Sequence, residues 1–357
     1  MIIPIKIESF LCPQSILYIF FFRSVQAGIW KDASSLRDPD LKRLTANLQS
    51  TIISARAIGT VEGYERAFRR WKDFTRHREE LSAFPAEPLH VAIYLQYLIE
   101  TTKSHSSVDA AFYSIKWVQE LAGLKSPTDN TLVAKVREAA KRIIGTDKPN
   151  RKDPLSVDIL KQVVENSDLS NTLQLRNVCM FILYFSGFFR YDDVSKIRRN
   201  QISFKDDHVV IKVEKSKNDQ LRKGNEVLIA KAQDNICPVK ILSEYLSKLE
   251  IEPDSTKYIF RQLIKTNSAQ KLADKDKPIS YTTYIEDFKN TLKSVVPDIR
   301  NYGTQSFRSG GETSAANNDI KERVFQRHGR WNTVRAKDGY VDDNVSERLS
   351  VSKSLGL

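Results

Sequence analysis

Hydrophobic residues recur every three to four positions between residues 56 and 145, with polar residues between them. Val61, Tyr64, Phe68 and Trp71 share one face of a first predicted helix, which is the spacing of an amphipathic helix. Helices this short are marginal alone in water, so the pattern predicts that they pack as one bundle. The second predicted helix covers 89–98, the third carries Val108, Ala111, Phe112, Ile115 and Val118, and the fourth carries Leu132, Val136 and Ile143.

The second half of the chain mixes helix and strand patterns. Residues 173–185 are almost all apolar, which predicts a helix buried on most sides and ended by Gly187. Residues 208–213 and 226–230 are rich in β-branched side chains, which predicts two strands joined by the polar connection 215–220. The fold class is therefore mainly α with a small antiparallel β-sheet. Further helices are predicted at 157–164, after Pro238, at 281–292 and through 304–340, with a polar loop at 261–278.

A polar segment with two prolines, residues 148–154, separates the two patterns. Because proline interrupts helices, this segment predicts a linker between a helical domain at 56–147 and a second domain at 155–357. Residues 1–55 are predicted to be a partly disordered N-terminal extension with no role in the core. Their apolar run, 16–22, is much shorter than the roughly 20 residues of a membrane helix, and no small-residue cleavage site follows it. No membrane association is expected.

Composition bears on the partner more than on the fold. The 357 residues are 41% hydrophobic and 28% charged, as in folded globular proteins, and the net charge is +12. This excess suits DNA as a partner, because Lys and Arg that neutralise phosphates release condensed counterions. An ordinary basic globular protein fits the charge equally well. The three cysteines form no even disulfide set and the five histidines show no zinc-type spacing, so we expect an intracellular chain without a metal site.

Two motifs in the second half each contain an arginine. Arg190 follows the apolar run, and Asp193 comes three residues later. Arg308 comes three residues after Gln305, in the segment Thr-Gln-Ser-Phe-Arg-Ser-Gly-Gly at 304–311. Alone, each arginine would be read as an ordinary surface or salt-bridging residue.

Three more positions complete a pattern. His-Gly-Arg-Trp occupies 328–331, Tyr340 follows Trp331 by nine residues, and Lys217 lies in the predicted hairpin connection. With the two arginines, these positions resemble the C-terminal catalytic domain of the tyrosine recombinases, or phage-integrase family. That family carries Arg, Lys, His-x-x-Arg, His or Trp, and Tyr in this order.

The resemblance implies a helical, SAM-like core-binding domain at 56–147 and a mixed α+β catalytic domain at 155–357. It implies DNA strand cleavage and rejoining through a 3′-phosphotyrosine intermediate, as in site-specific recombination and integration, without a cofactor. The partner would be double-stranded DNA, on which the chain would act as a homo-oligomer. Ser-Phe-Arg and Gly-Arg-Trp are similar to segments of recombinases of eukaryotic mobile elements, such as Cryptons, and a nuclear location would follow in a eukaryote.

The resemblance also assigns roles. Arg190 and Arg308 would bind the phosphate, because a guanidinium fork holds two oxygens and stays charged. Lys217 would protonate the leaving 5′-oxygen, Trp331 would donate its indole N–H to the phosphate, and Tyr340 would be the nucleophile.

Two further assignments concern support and DNA contact. Asp193 falls where the family usually has an acidic residue that supports the arginine. Basic residues opposite the apolar stripes of the first domain would hold DNA phosphates, although a solvated helix face has the same composition. These residues are Arg66, Arg69, Arg70, Lys141 and Arg142.

Gln305 departs from the family pattern, which usually has His and sometimes Lys at this position. Glutamine donates a hydrogen bond but carries no charge and cannot act as a base. One hypothesis is therefore a recombinase with weakened catalysis, and another is an impaired or domesticated relative that binds DNA without cutting it. A type IB topoisomerase-like enzyme, which shares the tyrosine chemistry, is a third. His328 is expected near the end of a helix and is not expected to replace the missing histidine.

Overall fold

The chain divides into two compact units, Met1–Asn150 and Arg151–Leu357. Lys217 and Tyr340 lie outside the described residues. Within the described ranges, no helix has the length and apolar character needed to cross a membrane. The computed structural model describes residues 30–33, 35–145, 152–213, 225–265, 270–318 and 320–331, together with Leu349 and Ser354.

The first unit is a bundle of helices. Two helices, α1 (Trp30–Ala33) and α2 (Pro39–Ile53), lie in the segment predicted to be an extension. The four predicted helices follow them, which confirms the helical bundle. They are α3 (Ile58–Arg76), α4 (Pro88–Thr102), α5 (His105–Leu121) and α6 (Thr131–Ile144).

The core of this bundle forms where the apolar stripes of the helices meet. Trp71 of α3, Leu95 of α4 and Val118 of α5 have no exposed surface. Full burial of one large apolar side chain contributes roughly 1.5–3 kcal/mol. The Trp71 indole also donates to the carbonyl oxygen of Ala83 at 2.9 Å, so the one polar atom of this side chain is satisfied.

The apolar face predicted for α6 was wrong in part. Leu132 and Ile143 are 48% and 69% exposed, whereas Val133 and Ala140 are fully buried. Both sets have helical spacing and both include Val136, which packs against the core. Spacing alone therefore could not decide which of two overlapping faces turns inward, and the structure buries the face with the small alanine.

The described part of the predicted extension does take part in the core. Trp30 is 8% exposed and belongs to the hydrophobic cluster of the first unit. Its indole Nε1 donates to the carbonyl oxygen of Leu121 at 2.7 Å. A single tryptophan among polar residues has no periodic signal, so this contact could not be predicted from the sequence.

The second unit combines helices with two small antiparallel sheets, which confirms the predicted fold class. Its first elements are α7 (Val157–Glu165), α8 (Thr172–Ser186), α9 (Tyr191–Ser195), β1 (Ile202–Phe204), β2 (His208–Val213) and β3 (Asn225–Ala230). The rest are α10 (Pro238–Lys248), β4 (Leu263–Lys265), β5 (Gln270–Leu272), α11 (Tyr281–Leu292), α12 (Ser306–Ala316) and α13 (Glu322–Gly329).

The predicted strand pair is confirmed as β2 and β3. Val209 pairs with Ile229 and Ile211 pairs with Val227, and all four side chains are buried on one face of the sheet. Strand β1 adds to the other edge of β2, so the sheet order is β1-β2-β3.

The loop predicted at 261–278 was wrong in part, because it contains the antiparallel pair β4 and β5. Each of these strands has three residues and includes a lysine. Such short, charged segments lack the alternation that marks a strand in a sequence.

Helix α8 is the central helix of the second unit, as its apolar run predicts. The Asn171 side chain starts it by accepting from the backbone N–H groups of Leu173 and Gln174. The residues from Leu175 to Tyr184 are all buried. Arg176 is the charged one among them, and its Nη2 lies 2.5 Å from Oδ2 of Asp287 on α11.

Helix α12 reaches its neighbours through two glycines. A Cβ atom on Gly310 would lie 1.9 Å from the carbonyl oxygen of Leu155, and one on Gly311 would lie 2.1 Å from that of Phe185. Backbone therefore packs directly against backbone, which brings Arg308, on the first turn of α12, beside the end of α8.

Replacing Gly310 with alanine is expected to lower the free energy of unfolding by roughly 1–3 kcal/mol, the typical effect of overpacking. The obstructing atom belongs to the backbone and cannot rotate away. Gly63→Ala on α3 is the matched control, because nothing lies within 4 Å of its added Cβ. That change should stabilise the chain by roughly 0.5–1 kcal/mol. Urea unfolding followed by circular dichroism measures both, and wild-type stability in Gly310→Ala would contradict the close packing of α12.

Candidate active site

Three arginines from distant parts of the second unit converge beside the turn at Gly187 and Phe188. Arg190 directly precedes α9, Arg308 lies on α12, and Arg330 directly follows α13. Both Arg308 and Arg330 donate to the carbonyl oxygen of Phe188. Phe188 has a positive φ of 46°, which is uncommon for a bulky residue. The turn is therefore held in a strained conformation by two buried guanidinium groups.

Arg308 is fully buried among protein groups. Its Nη1 donates to the Phe188 carbonyl oxygen and its Nη2 donates to the Gly329 carbonyl oxygen at 3.2 Å. Its Nε lies 2.6 Å from Oε1 of Glu312, one turn later on the same helix. The Trp331 ring centre lies 5.5 Å from the guanidinium carbon. A phosphate can therefore reach Arg308 only if some of these groups move.

Arg330 fixes the same turn from the other side. Its Nη1 donates to the Gly187 carbonyl oxygen at 3.1 Å, and its Nη2 donates to the Phe188 carbonyl oxygen at 2.9 Å. Nη2 also lies 3.2 Å from Oδ2 of Asp193. Burial lowers the pKa of Arg330 from its ordinary value to about 10, so the side chain remains charged at neutral pH. Its backbone has a φ of 58°, in the left-handed region.

Arg308 and Arg330 together form a clamp on the turn at Gly187 and Phe188. Asp193 connects this clamp to Arg190. Its Oδ2 accepts the backbone N–H of Arg190 at 2.9 Å in addition to the Arg330 guanidinium. The Arg190 side chain is partly exposed, and its buried Nη1 has no hydrogen-bond partner among the described residues. Arg190 thus keeps donor capacity that a bound anion could use, and Asp193 is placed to support it.

Glu312 is the second buried carboxylate of the site, with no exposed surface. Burial raises its pKa from 4.5 to about 7, and the charges of Arg308, Arg190 and Arg330 oppose that rise. Desolvation therefore outweighs the attraction of three cations. Glu312 changes its charge close to neutral pH.

Aromatic side chains cover one side of the arginines. Phe188, Phe325 and Trp331 form a small hydrophobic cluster, in which the Phe325 and Trp331 rings are 5.1 Å apart. His328 lies near the end of α13, as predicted. Its Nε2 donates to the Ser186 carbonyl oxygen at 2.8 Å, and burial lowers its pKa. The His328 ring is therefore bound to the last residue of α8.

Gln305 is not enclosed with these side chains. It is exposed at the start of α12, and its carbonyl oxygen accepts the N–H of Ser309 at 2.9 Å. Lys217 and Tyr340, the predicted general acid and nucleophile, lie outside the described residues. The predicted residues that the structure does bring together are Arg190, Asp193, Arg308 and Trp331.

The basic residues predicted to contact DNA are all exposed on the first unit. Two of them have acidic neighbours on their own helix: Arg69 pairs with Glu65, and Arg142 Nη2 lies 3.5 Å from Glu138. Among the described side chains, no salt bridge involves the other three, which are Arg66, Arg70 and Lys141.

No family model matches the chain. The chain is 23% identical over 317 residues to an integrase/recombinase XerD homolog from Selenomonas ruminantium, and the match covers 86% of this chain and 90% of that protein. Its fold matches XerH site-specific recombinase bound to palindromic difH substrate in a post-cleavage complex. The TM-score is 0.58, the sequences are 12% identical, and the match covers 95% of each chain.

The chain therefore has the fold of the tyrosine recombinases. A lambda integrase dimer bound to a COC' core site matches with a TM-score of 0.52 and 17% identity, over 84% of this chain and 94% of that one. These matches agree with the predicted arrangement of a helical core-binding part and a mixed catalytic part in tyrosine recombinases.

Two buried residues of this tyrosine recombinase fold were missed by sequence reasoning. Arg330 had a signal, because it lies next to Trp331 inside a motif already selected. Glu312 had a weaker signal, because it follows Arg308 by four residues and such pairs meet on a helix. Nothing in the sequence showed that both side chains would be buried.

Proposed function

We propose that the chain cuts and rejoins DNA strands by site-specific recombination or integration, through a 3′-phosphotyrosine at Tyr340. The observation that carries the proposal is the convergence of Arg190 and Arg308, from segments far apart in the chain, with Trp331 beside them. The relative from Selenomonas ruminantium is named an integrase/recombinase, and the XerH site-specific recombinase is bound to its palindromic difH substrate. Both support the same activity here.

In the proposed reaction, the Tyr340 oxygen attacks phosphorus and the bond to the 5′-oxygen breaks. The phosphotyrosine forms at the 3′ side, and Lys217 supplies the proton that the 5′-oxygen needs to leave. Arg190 and Arg308 stabilise the charge that gathers on the non-bridging oxygens. Gln305 cannot accept the tyrosine proton, so water takes it. We expect cleavage to be slower than with a histidine, by roughly 10²–10⁴-fold.

The first unit would hold the DNA backbone, and the working form would be a homo-oligomer on double-stranded DNA. Exposed cations without a described salt-bridge partner suit phosphate contacts, because they need not break an ion pair to bind. Arg66, Arg70 and Lys141 meet this description best. The same proposal includes the resemblance to recombinases of eukaryotic mobile elements. If the chain is of that type, it is expected to act in the nucleus.

A second candidate function is DNA binding without cleavage. The observation in its favour is that Arg308 has no exposed surface and is paired with Glu312, while Gln305 is exposed. A phosphate-binding arginine that is permanently neutralised would leave a protein that clamps DNA but cannot stabilise the transition state.

The deciding experiment is covalent capture. Nicked duplexes with randomised sequence around the nick are incubated with wild type, Tyr340→Phe and Gln305→His, and then denatured. A nick close to the cut site leaves only a short fragment with the freed 5′-hydroxyl, and this fragment diffuses away. Rejoining is then prevented, so the phosphotyrosine accumulates. We expect a covalent product with wild type, more product with Gln305→His, and none with Tyr340→Phe.

Each other outcome has a definite meaning. Product from Tyr340→Phe would exclude Tyr340 as the nucleophile. Product from Gln305→His alone would identify an impaired recombinase whose remaining groups are intact. Gel-shifted complexes without any covalent product, in all three proteins, would support the DNA-binding function instead.

A further inference from the structure

Two carboxylates face three arginines in the candidate active site. Asp193 is held by Arg330 and by the backbone of Arg190, whereas Glu312 is held through Arg308. With both carboxylates ionised, the five side chains carry one net positive charge, and protonation of Glu312 makes it two. The state of one buried carboxyl group therefore sets how strongly this site attracts an anion.

Glu312 occupies a place where an anion would bind Arg308. Its Oε1 lies 2.6 Å from Arg308 Nε, and neither side chain has exposed surface. A phosphate oxygen would sit at nearly the same distance, about 2.7–2.9 Å. The Nη1 and Nη2 atoms face the carbonyl oxygens of Phe188 and Gly329. All three nitrogens of Arg308 thus face protein oxygens, and only the Glu312 oxygen can lose its charge.

We propose that Glu312 is an internal competitor of the DNA phosphate for Arg308, so that the site binds a phosphate when Glu312 is protonated. This inference rests on the proposed function, because it takes Arg308 to belong to the surface that receives the DNA backbone. The ligand is a phosphodiester, whose single negative charge replaces the charge that Glu312 gives up.

Protonation is the simplest way to release Arg308. Among the described residues, the charged groups that face Glu312 are Arg308 from its own helix, Arg190 from the start of α9 and Arg330 from the end of α13. His328 faces Arg308 and Arg330, and its lowered pKa keeps it mostly neutral near pH 7. Burial brings the Glu312 pKa to about 7, so binding of a phosphate should be accompanied by proton uptake.

The test measures anion binding to the full chain without DNA. The probe is inorganic sulfate, which keeps its charge between pH 6 and 8, and the readout is the rise in melting temperature above that in sodium chloride of equal ionic strength. Wild type and Glu312→Gln are compared at pH 6 and pH 8. The control is Asp287→Asn, which also leaves a buried arginine, Arg176, without its carboxylate but away from the three-arginine group.

At pH 8 we expect Glu312→Gln to reach half of its sulfate response at a concentration about tenfold lower than wild type. With a pKa of about 7, roughly one tenth of the wild-type molecules have Glu312 protonated at pH 8. Because only these molecules bind sulfate, the apparent affinity of wild type is about tenfold weaker. Wild type at pH 6 should approach the variant, and Asp287→Asn should behave like wild type. Equal sulfate midpoints for wild type and Glu312→Gln at both pH values would overturn the proposal, as would an equal gain in affinity in Asp287→Asn.

If Glu312→Gln does not fold, wild type alone decides, because a sulfate midpoint that is the same at pH 6 and pH 8 also overturns the proposal. The covalent capture assay on the same proteins separates this inference from the proposed function. The expected sulfate pattern without any covalent product would refute cleavage but retain the role of Glu312. A covalent product, together with a sulfate midpoint that is the same at both pH values and in both proteins, would support cleavage and refute the role of Glu312.

Discussion

Arg330→Gly is expected to lower the free energy of unfolding of the second unit by roughly 3–5 kcal/mol, the usual effect of removing one partner of a buried ion pair. The change leaves the Asp193 carboxylate buried without its cation and removes donors from the carbonyl oxygens of Gly187 and Phe188. Glycine adopts the left-handed φ of this position without strain. The expected loss therefore reflects the side chain and not the backbone. Urea titration with hydrogen-exchange mass spectrometry assigns the transition to the second unit.

A double-mutant cycle shows whether Arg330 acts through Asp193. Asp193→Asn alone should also destabilise the chain, because Arg330 then becomes the uncompensated buried charge. The double variant should lose less than both single losses together, with a coupling of roughly 0.5–3 kcal/mol. Strictly additive losses would show that the 3.2 Å contact between these two side chains does not stabilise the fold.

Glu312 is expected to make the stability of the chain fall as pH rises toward neutrality. Its pKa is about 7 in the folded chain and 4.5 as the reference value for the unfolded chain. The folded state therefore holds a proton that the unfolded state has released between these two values. The stabilising contribution is complete below pH 4.5 and lost as pH passes 7. With 1.36 kcal/mol for each pKa unit, the loss is about 3 kcal/mol.

The measurement is the difference in free energy of unfolding between wild type and Glu312→Gln, followed from pH 4.5 to pH 8.5 by urea titration. The comparison is needed because His328 acts in the opposite sense. Burial lowers the pKa of His328, so its contribution to stability is present above pH 6.5 and is lost as pH falls through the lowered pKa of the folded chain. His328 is present in both proteins, so its effect largely cancels. Parallel pH profiles for the two proteins would contradict the assignment to Glu312.

The parts of the fold that could be predicted are those that leave a repeating pattern. The apolar run of α8 and the β-branched strands β2 and β3 were recognised because many residues agree on one interpretation. The faces of α6 were confused because Leu132 and Val133 both fit a helical stripe through Val136. Trp30 was missed because one residue makes no pattern.

Some residues of the candidate site could be predicted, but Arg330, Glu312 and the arrangement of the site could not. Arg190 and Arg308 were selected by spacing and by family resemblance, and the structure does bring them together. Charged residues are rarely buried, so no sequence rule indicated that Arg308 would be enclosed. Its partners are mostly backbone carbonyl oxygens, which every residue carries and no sequence distinguishes. Glu312 is buried because it pairs with the enclosed Arg308, so its burial could not be predicted from the sequence either.

The clamp on the turn at 187–188 also bears on the order of events during synthesis. The Phe188 carbonyl oxygen is bound by arginines that follow it by 120 and 142 residues in the chain. At about 5–20 residues per second, the turn leaves the ribosome roughly 6–30 s before those arginines. During that interval α8 can form, but Arg190 has neither Arg308 nor Arg330 beside it. A nascent chain therefore carries no assembled phosphate site, and the DNA-directed chemistry proposed for this protein can begin only after the last part of the second unit has been translated and has folded back.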